Sequence, residues 1–200
     1  MSHMASLNCL VAECKKMQSY GAIGVILMDS SGFFLPDDVG KIFDRFSKEL
    51  TIDVGFHAHN NLGMSIANSV RAVECGANII DACARGFGAG AGNAQLEIVV
   101  AVLDKMGFDL GVDLYKIFDA TDIAEQYLIE HIPYVNSVNI VSGLAGVFSG
   151  FVKHVERIST QYGVDPKDVF FELGKRKVIG GQEDVIIEVA MELVDKKRNR

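Results

Sequence analysis

The first half of the chain alternates amphipathic helical stretches with short apolar runs. A helical stripe of apolar residues precedes the near-continuous apolar run IGVILMD, which ends in a carboxylate. A run of this kind is typical of a strand buried on both faces, as in a parallel sheet covered by helices. The same order of helix and strand then repeats along the chain. The predicted strands cover residues 23–29, 52–59 and 77–84, and the predicted helices cover 7–21, 36–50, 65–75 and 94–106.

Strands alternating with helices at roughly 25- to 30-residue intervals predict parallel βαβ units with right-handed crossovers. Three strands are too few to close a (β/α)8 barrel, so the residues alone leave two readings: a small open α/β sheet, or the tail of a barrel. After Met106 the pattern becomes helical. Helices are predicted over 113–131, 143–162, 166–173 and 182–196. We therefore expect an α/β domain over residues 1–109 and an all-α domain over 110–200.

Composition excludes several classes of protein. Hydrophobic residues make up 49% of the chain and charged residues 22%, which argues against disorder. The net charge is −7 and the largest basic cluster is the terminal KKRNR, so nucleic-acid binding is not expected. No apolar run approaches the roughly 20 residues that cross a membrane, and no signal peptide is recognisable. Four cysteines without a C-x-x-C motif predict reduced thiols in a cytoplasmic protein.

The motif GFHAHNN carries the first candidate chemistry. His57 and His59 are two apart on a predicted strand, so both imidazoles project from one face. They lie near the carboxyl end of that strand, where α/β folds place their active sites. Two neutral imidazoles with a carboxylate could hold a transition metal. The alternative is that one histidine faces the core and the other caps the strand.

Further polar residues follow the neighbouring strands. Asp29 ends the preceding strand, Asp81 lies in the following one, and Asn93 lies in the glycine-rich segment GFGAGAGN. That segment is either a flexible turn before a helix or a close backbone approach to an anionic ligand. It lacks the full dinucleotide fingerprint, which argues against NAD binding.

Three stretches resemble the 4-hydroxy-2-oxovalerate aldolases: GFHAHNNLG, AVECGANIIDACARGFGAGAGNAQLE and GGQEDVIIEVA. That family is part of a wider group of metal-dependent lyases and acyltransferases that includes hydroxymethylglutaryl-CoA lyase. The resemblance implies a (β/α)8 TIM barrel, of which this chain would hold about three βα units. It also implies a helical communication domain that docks an acylating acetaldehyde dehydrogenase and passes the aldehyde to it.

The resemblance assigns roles to individual residues. His57 and His59 match the metal-ligand histidines of the family. Asn93 matches an asparagine that ligates the metal in the lyase branch, and in this chain it is either a ligand or a residue that contacts the ligands. The implied cofactor is Mn²⁺, or another divalent cation such as Mg²⁺ or Co²⁺.

Three other positions match the substrate-binding face. Asp29 and Ser30 match a pair near bound pyruvate, with a turn before a helix as the alternative. Phe148 stands where well-known members carry tyrosine, which would remove a hydroxyl from the pocket.

The implied activity is cleavage of 4-hydroxy-2-oxovalerate to pyruvate and acetaldehyde, in aromatic hydrocarbon catabolism. The Arg-Asp pair and the histidine of the family's N-terminal part have no counterpart in this chain, so its catalytic residues stay unknown. Two alternatives remain: a catalytically incomplete, partner-binding module, and a related acyl-CoA lyase or acyltransferase. The first strand would also present an unpaired apolar edge, so we expect a homo-oligomer or a separately encoded N-terminal half.

Overall fold

Three parallel strands form the sheet of this protein, whose computed structural model describes residues 1–198. The strands are β1 (Gly24–Asp29), β2 (Asp53–Ala58) and β3 (Ile79–Asp81), in the order β1-β2-β3. The helices are α1 (Leu7–Ser19), α2 (Pro36–Glu49), α3 (Ser65–Glu74), α4 (Leu96–Lys105), α5 (Leu114–Tyr127), α6 (Ser137–Ala145), α7 (Val152–Tyr162), α8 (Pro166–Lys175) and α9 (Asp184–Arg198). Single 3-10 turns occur at Ser2–Met4, Ala84–Gly86 and Ser149–Phe151. The predicted α/β class is confirmed.

The strand register separates the two faces of the sheet. Leu27 pairs with Phe56, and both point towards the helices, where Phe56 packs edge-on against Phe43 of α2. Residues one position further along point to the opposite face, because side chains alternate along a strand. His57 is on that opposite face, in register with Asp81 of β3. The helix-covered face is therefore the core, and the other face carries the candidate chemistry.

The expectation that β1 is buried on both faces is wrong. Ile26 and Met28 are each 41% exposed, whereas Val25 and Leu27 are buried. Helices α1 and α2 supply the core that covers one face. The described residues leave the opposite face partly open, and an apolar run cannot show whether both of its faces are covered.

A second apolar core joins α6 to α9, and it includes Val147, Phe151, Phe170 and Ile186. The predicted continuous helix over 143–162 is wrong. Helix α6 begins earlier, behind an Asn136 cap, and ends where Gly146 turns left-handed with φ 65°. The chain then makes a 3-10 turn before α7, which lets the Ser149 N–H donate to the Ser30 carbonyl at 3.0 Å.

Other element boundaries differ less. Strand β3 is shorter than the predicted 77–84, and α5 ends at Tyr127 rather than at residue 131. All four cysteines are free thiols. Among the helices described here, none combines the length and apolar character that a membrane crossing needs. The basic terminus KKRNR includes Asn199 and Arg200, which lie outside the described residues.

Candidate functional site

The carboxyl ends of the three strands meet at one edge of the sheet, which we call the rim. The segment that follows β3 folds back and runs beside the residues that follow β2. The Asn60 N–H donates to the Gly92 carbonyl at 2.8 Å, and the Ala94 N–H donates to the Ala58 carbonyl at 2.9 Å. These backbone bonds set Asn93 opposite His59 in an antiparallel bridge. Sequence neighbours of two different strands thus become spatial neighbours at the rim.

The two histidines lie side by side. Their ring centroids are 5.3 Å apart. His57 is 8% exposed, and its Nδ1–H donates to Asp81 Oδ2 at 3.0 Å. That bond fixes the tautomer and leaves Nε2 of His57 with a free lone pair, as in many metal-ligating histidines. Burial, followed by the neighbouring His57, lowers the pKa of His59 to about 4, so His59 is neutral at pH 7.

The carboxamide of Asn93 has a defined orientation. Its Nδ2 donates to the Phe87 carbonyl at 3.0 Å and to the Cys83 sulfur at 3.3 Å. Because both donor directions are used, Oδ1 remains as a free acceptor. This oxygen is buried and has no hydrogen-bond partner in the structure, as is also true of Nδ1 of His59. Buried polar atoms without partners are costly unless something else satisfies them.

These atoms suit a divalent cation. Imidazole nitrogen and amide oxygen are both accepted by Mn²⁺-like ions. Within residues 1–198, no group of three or more His, Cys, Asp or Glu side chains is arranged to hold a metal. A cation at the rim would therefore rest on His57, His59 and the oxygen of Asn93, with its other ligands from outside these residues.

Gly88 tests the placement of the Asn93 carboxamide. A Cβ at Gly88 would collide with Nδ2 of Asn93 and lie 2.9 Å from its Cγ. We expect Gly88→Ala to displace the carboxamide and to lower Mn²⁺ affinity about 10-fold. Substitutions that disturb the residues around metal ligands have effects of this size. Isothermal titration calorimetry measures this change. Gly180→Ala is the matched control, because a Cβ there makes only an ordinary 3.5 Å contact with Phe148; equal affinities of the two variants would contradict the expectation.

Asp29 shapes the loop that follows β1. It is 1% exposed, and its carboxylate accepts the N–H groups of Phe33 at 3.0 Å and Phe34 at 3.2 Å. The predicted turn before a helix is thus present. Ser30 is half-buried, and its carbonyl accepts the bond from Ser149. Both residues lie at the rim, and their contact with a substrate stays a prediction.

The buried carboxyl of Asp29 predicts a pH-dependent stability. Burial raises its pKa from 3.8 to about 6, against the opposing effect of the two N–H donors. The folded state therefore holds the proton more tightly than the unfolded state, so stability falls as pH rises from about 4 to about 6 and then levels off. The free energy of unfolding should fall by about 3 kcal/mol over this range, because each pKa unit corresponds to about 1.4 kcal/mol.

Asp29→Asn removes this titration. We expect the free energy of unfolding of the wild type, relative to that of Asp29→Asn, to fall between pH 4 and pH 7 in urea titrations. A difference that is the same at both pH values would show that the carboxyl ionises normally.

Phe148 lies in the helical core. Its ring is 5.8 Å from that of Phe151, edge to face, and it packs against the second apolar cluster. The neighbouring residue, Ser149, is bonded to the rim through its N–H and its hydroxyl. A role of Phe148 in binding substrate stays a prediction, and its ring has a structural role in the helical core.

Asn61 is a residue that the sequence did not single out. It is fully buried; its Nδ2 donates to the Ser31 carbonyl at 3.0 Å and to Ser149 Oγ at 2.9 Å, and its Oδ1 accepts the Ala91 N–H at 2.9 Å. It therefore joins the loops that follow the three strands to Ser149, in the region of helices α6 to α9. The only signal in the sequence was its position in NNLG directly after the strand, where loop asparagine is common.

Comparison with known proteins places the chain in a family. Residues 1–124 match the HMGL-like family, and residues 133–195 match the DmpG-like communication domain. A 4-hydroxy-2-oxovalerate aldolase of Spirochaeta aurantia is 57% identical over 96% of this chain and 57% of its own length. A protein of the same name from Pectobacterium atrosepticum is 54% identical over 100% of this chain and 58% of its own length. The chain thus spans a little over half the length of these relatives.

Solved structures show the same fold at lower identity. The carboxyl transferase domain of Rhizobium etli pyruvate carboxylase is 17% identical, with a TM-score of 0.79 over 96% of this chain and 34% of its own. The N-terminal domain of a Bacteroides vulgatus protein is 28% identical, with a TM-score of 0.63 over 82% of this chain and 53% of its own. The fold and the match over residues 1–124 agree with the resemblance of the motifs. The chain belongs to the HMGL-like family.

Proposed function

We propose that this chain is the C-terminal part of a (β/α)8 aldolase that cleaves 4-hydroxy-2-oxovalerate to pyruvate and acetaldehyde. The observation that carries the proposal is the rim itself, where two adjacent imidazoles lie beside Asn93, whose buried amide oxygen has no hydrogen-bond partner. The names of the relatives favour this activity over an acyl-CoA lyase or acyltransferase. Residues 1–109 would be the barrel part and 110–200 the helical part.

The residues of the rim would hold a divalent cation, Mn²⁺ or else Mg²⁺ or Co²⁺, through His57, His59 and Asn93. Such an ion supplies a Lewis acid that polarises the carbonyl group of a 2-oxo acid. Asp81 keeps a proton on Nδ1 of His57, so the other nitrogen of that ring stays available. Asp29 holds the loop after β1 through its bonds to the Phe33 and Phe34 N–H groups, and the substrate carboxylate would lie beside this loop, next to Ser30. The group that takes the proton from the 4-hydroxyl would come from outside these 200 residues.

A complementation assay tests this proposal. Pyruvate release from 4-hydroxy-2-oxopentanoate with Mn²⁺ is followed by coupling to lactate dehydrogenase. We expect the 200-residue chain to show little activity alone, and to gain activity when mixed with the N-terminal part of the Spirochaeta aurantia relative. Family-like turnover by the chain alone would refute the assignment of the base to another segment. No turnover in the mixture would refute the aldolase itself.

The helical part would bind an acylating acetaldehyde dehydrogenase. The match to the DmpG-like communication domain over residues 133–195 supports this partner. Pull-down with a purified dehydrogenase encoded beside such an aldolase tests it. Retention that needs residues 133–195 is expected, and retention by residues 1–124 alone would place the contact elsewhere.

The open face of the sheet would be covered by another polypeptide. Ile26 and Met28 expose apolar surface beside the rim, and Ile23 is 88% exposed. Apolar strands left open in this way associate. We expect light scattering to show that the isolated chain is an oligomer. A chain that stays monomeric as its concentration is raised would contradict this.

A further inference from the structure

Arg85 stands at the beginning of the glycine-rich segment and has an unusual environment. It is one of two non-glycine residues among 1–198 with positive φ, at 52°. Its guanidinium contacts three carboxylates, one of them on α4 and two on α5. Arg85 pairs with Glu97 at 3.3 Å, with Glu125 at 2.6 Å and with Asp122. An arginine fork can serve several carboxylates at once, which a lysine cannot do.

The backbone of Arg85 is held by the same cluster. Its N–H donates to Glu97 Oε2 at 3.2 Å, and Glu97 is only 6% exposed. Side chain and backbone of Arg85 are thus both anchored to one buried carboxylate. This anchoring offsets the cost of a left-handed conformation, which is of order 1 kcal/mol for a residue with a Cβ.

The turn at Arg85 leads directly to Asn93. The next residue, Gly86, is also left-handed at φ 66°, and its carbonyl accepts the Asn93 N–H at 2.8 Å. The Gly86 N–H in turn donates to the Cys83 carbonyl at 2.9 Å, and the Cys83 sulfur accepts from the Asn93 carboxamide. The direction of the chain at residues 85 and 86 therefore sets where Asn93 lies.

Helix α5 provides two of the three carboxylates, although it follows the barrel-like units in the chain. Without the guanidinium, Glu97, Asp122 and Glu125 would be three like charges close together, with one of them buried. Their repulsion would push α5 from the segment after β3 and free the turn. The position of Asn93 thus depends on a helix that does not itself reach the rim.

We propose that Arg85 is a positioning residue that raises the cation affinity of the rim by fixing Asn93, with α5 as its support. The inference rests on the proposed function, because it takes the rim to be a cation site. Arg85 touches neither histidine, so its effect on the site acts through Asn93. Helix α5, whose carboxylates hold Arg85, would then contribute to the affinity of the rim for the cation.

The test compares four variants of the full chain by Mn²⁺ affinity, measured from the EPR signal of the free ion. We expect Arg85→Gln to weaken Mn²⁺ binding about 10-fold or more, as loss of support behind metal ligands does. Arg85→Lys should recover only part of this, because an ammonium cannot serve three carboxylates. Glu125→Gln, a milder change that leaves Arg85 paired with Glu97, should weaken binding about two- to five-fold, a fraction of that effect.

The matched control is Arg176→Gln. Arg176 also bridges carboxylates of a neighbouring helix, Glu192 at 2.6 Å and Glu188 at 3.7 Å, but it lies at the C-terminal end of α8, on the surface. This variant loses an arginine that bridges two exposed carboxylates of another helix, and it should bind Mn²⁺ like the wild type. Equal losses in Arg85→Gln and Arg176→Gln would show a general structural effect and overturn the proposal.

A second readout needs no metal. Amide hydrogen exchange at Asn93 should be at least about 10-fold faster in Arg85→Gln and unchanged in Arg176→Gln. Unchanged exchange, or faster exchange with unchanged Mn²⁺ affinity, overturns the positioning role while leaving the proposed function intact. A wild-type chain that binds no Mn²⁺ even when it is mixed with the complementing N-terminal part contradicts the proposed function, and this inference with it.

Discussion

Replacing Asn61 with alanine is expected to lower the free energy of unfolding by about 3 to 5 kcal/mol, because three buried partners lose their bonds at once. The partners are the Ser31 carbonyl, the Ser149 hydroxyl and the Ala91 N–H. Each is left in a buried site where water has little room to replace the amide. Urea denaturation followed by circular dichroism measures the loss.

Asn68 is the control for this substitution. It is as buried as Asn61, but its Nδ2 makes one bond, to the Phe34 carbonyl at 2.7 Å, within the sheet-containing part. Asn68→Ala should therefore cost about 1 to 2 kcal/mol. If the two variants lose the same stability, Asn61 is not the residue that joins the loops of the rim to the helical part.

Two phenylalanines are expected to show that two of the apolar cores among residues 1–198 respond separately to substitution. Phe43 and Phe170 are both fully buried, the first between the sheet and α2 and the second among α6 to α9. Each replacement by alanine should cost about 3 to 5 kcal/mol, the usual range for a phenylalanine removed from a packed core. The two losses of stability should be similar in size, but the regions that become less protected should differ.

Hydrogen exchange with mass spectrometry separates the two effects. Phe170→Ala should raise exchange mainly in α6 to α9, and Phe43→Ala mainly in β1, α2 and β2, because each phenylalanine packs within a separate apolar cluster. A uniform rise over residues 1–198 in both variants would mean that the chain unfolds as one unit.

The sequence predicted much of the framework because periodicity reports on local structure. The three strands and the helices between them appear in the predicted order, since the apolar residues of each helix repeat along one stripe. The histidine pair was also predicted to share a face, and the register with β3 gives Asp81 as the partner of His57.

The features that the hydrophobic pattern did not predict depend on contacts between residues far apart in the sequence. The break after α6 follows from Gly146 and from the bond between Ser149 and Ser30, which lie far apart in sequence. The exposure of Ile26 is a property of what covers the sheet and not of the strand itself. Asn61 and Arg85 gain their importance from partners in other segments, which a motif cannot display.

Binding of Mn²⁺ to the rim is the most direct test of this account. The full chain, alone and in the complemented mixture, is titrated and free Mn²⁺ is read by EPR. His57→Ala/His59→Ala should weaken uptake at least about 100-fold, because two of the three ligands that we propose for this chain are lost. His131→Ala/His154→Ala, which removes two exposed histidines elsewhere, should bind like the wild type. Unchanged Mn²⁺ uptake in His57→Ala/His59→Ala would contradict the assignment of the rim as the cation site.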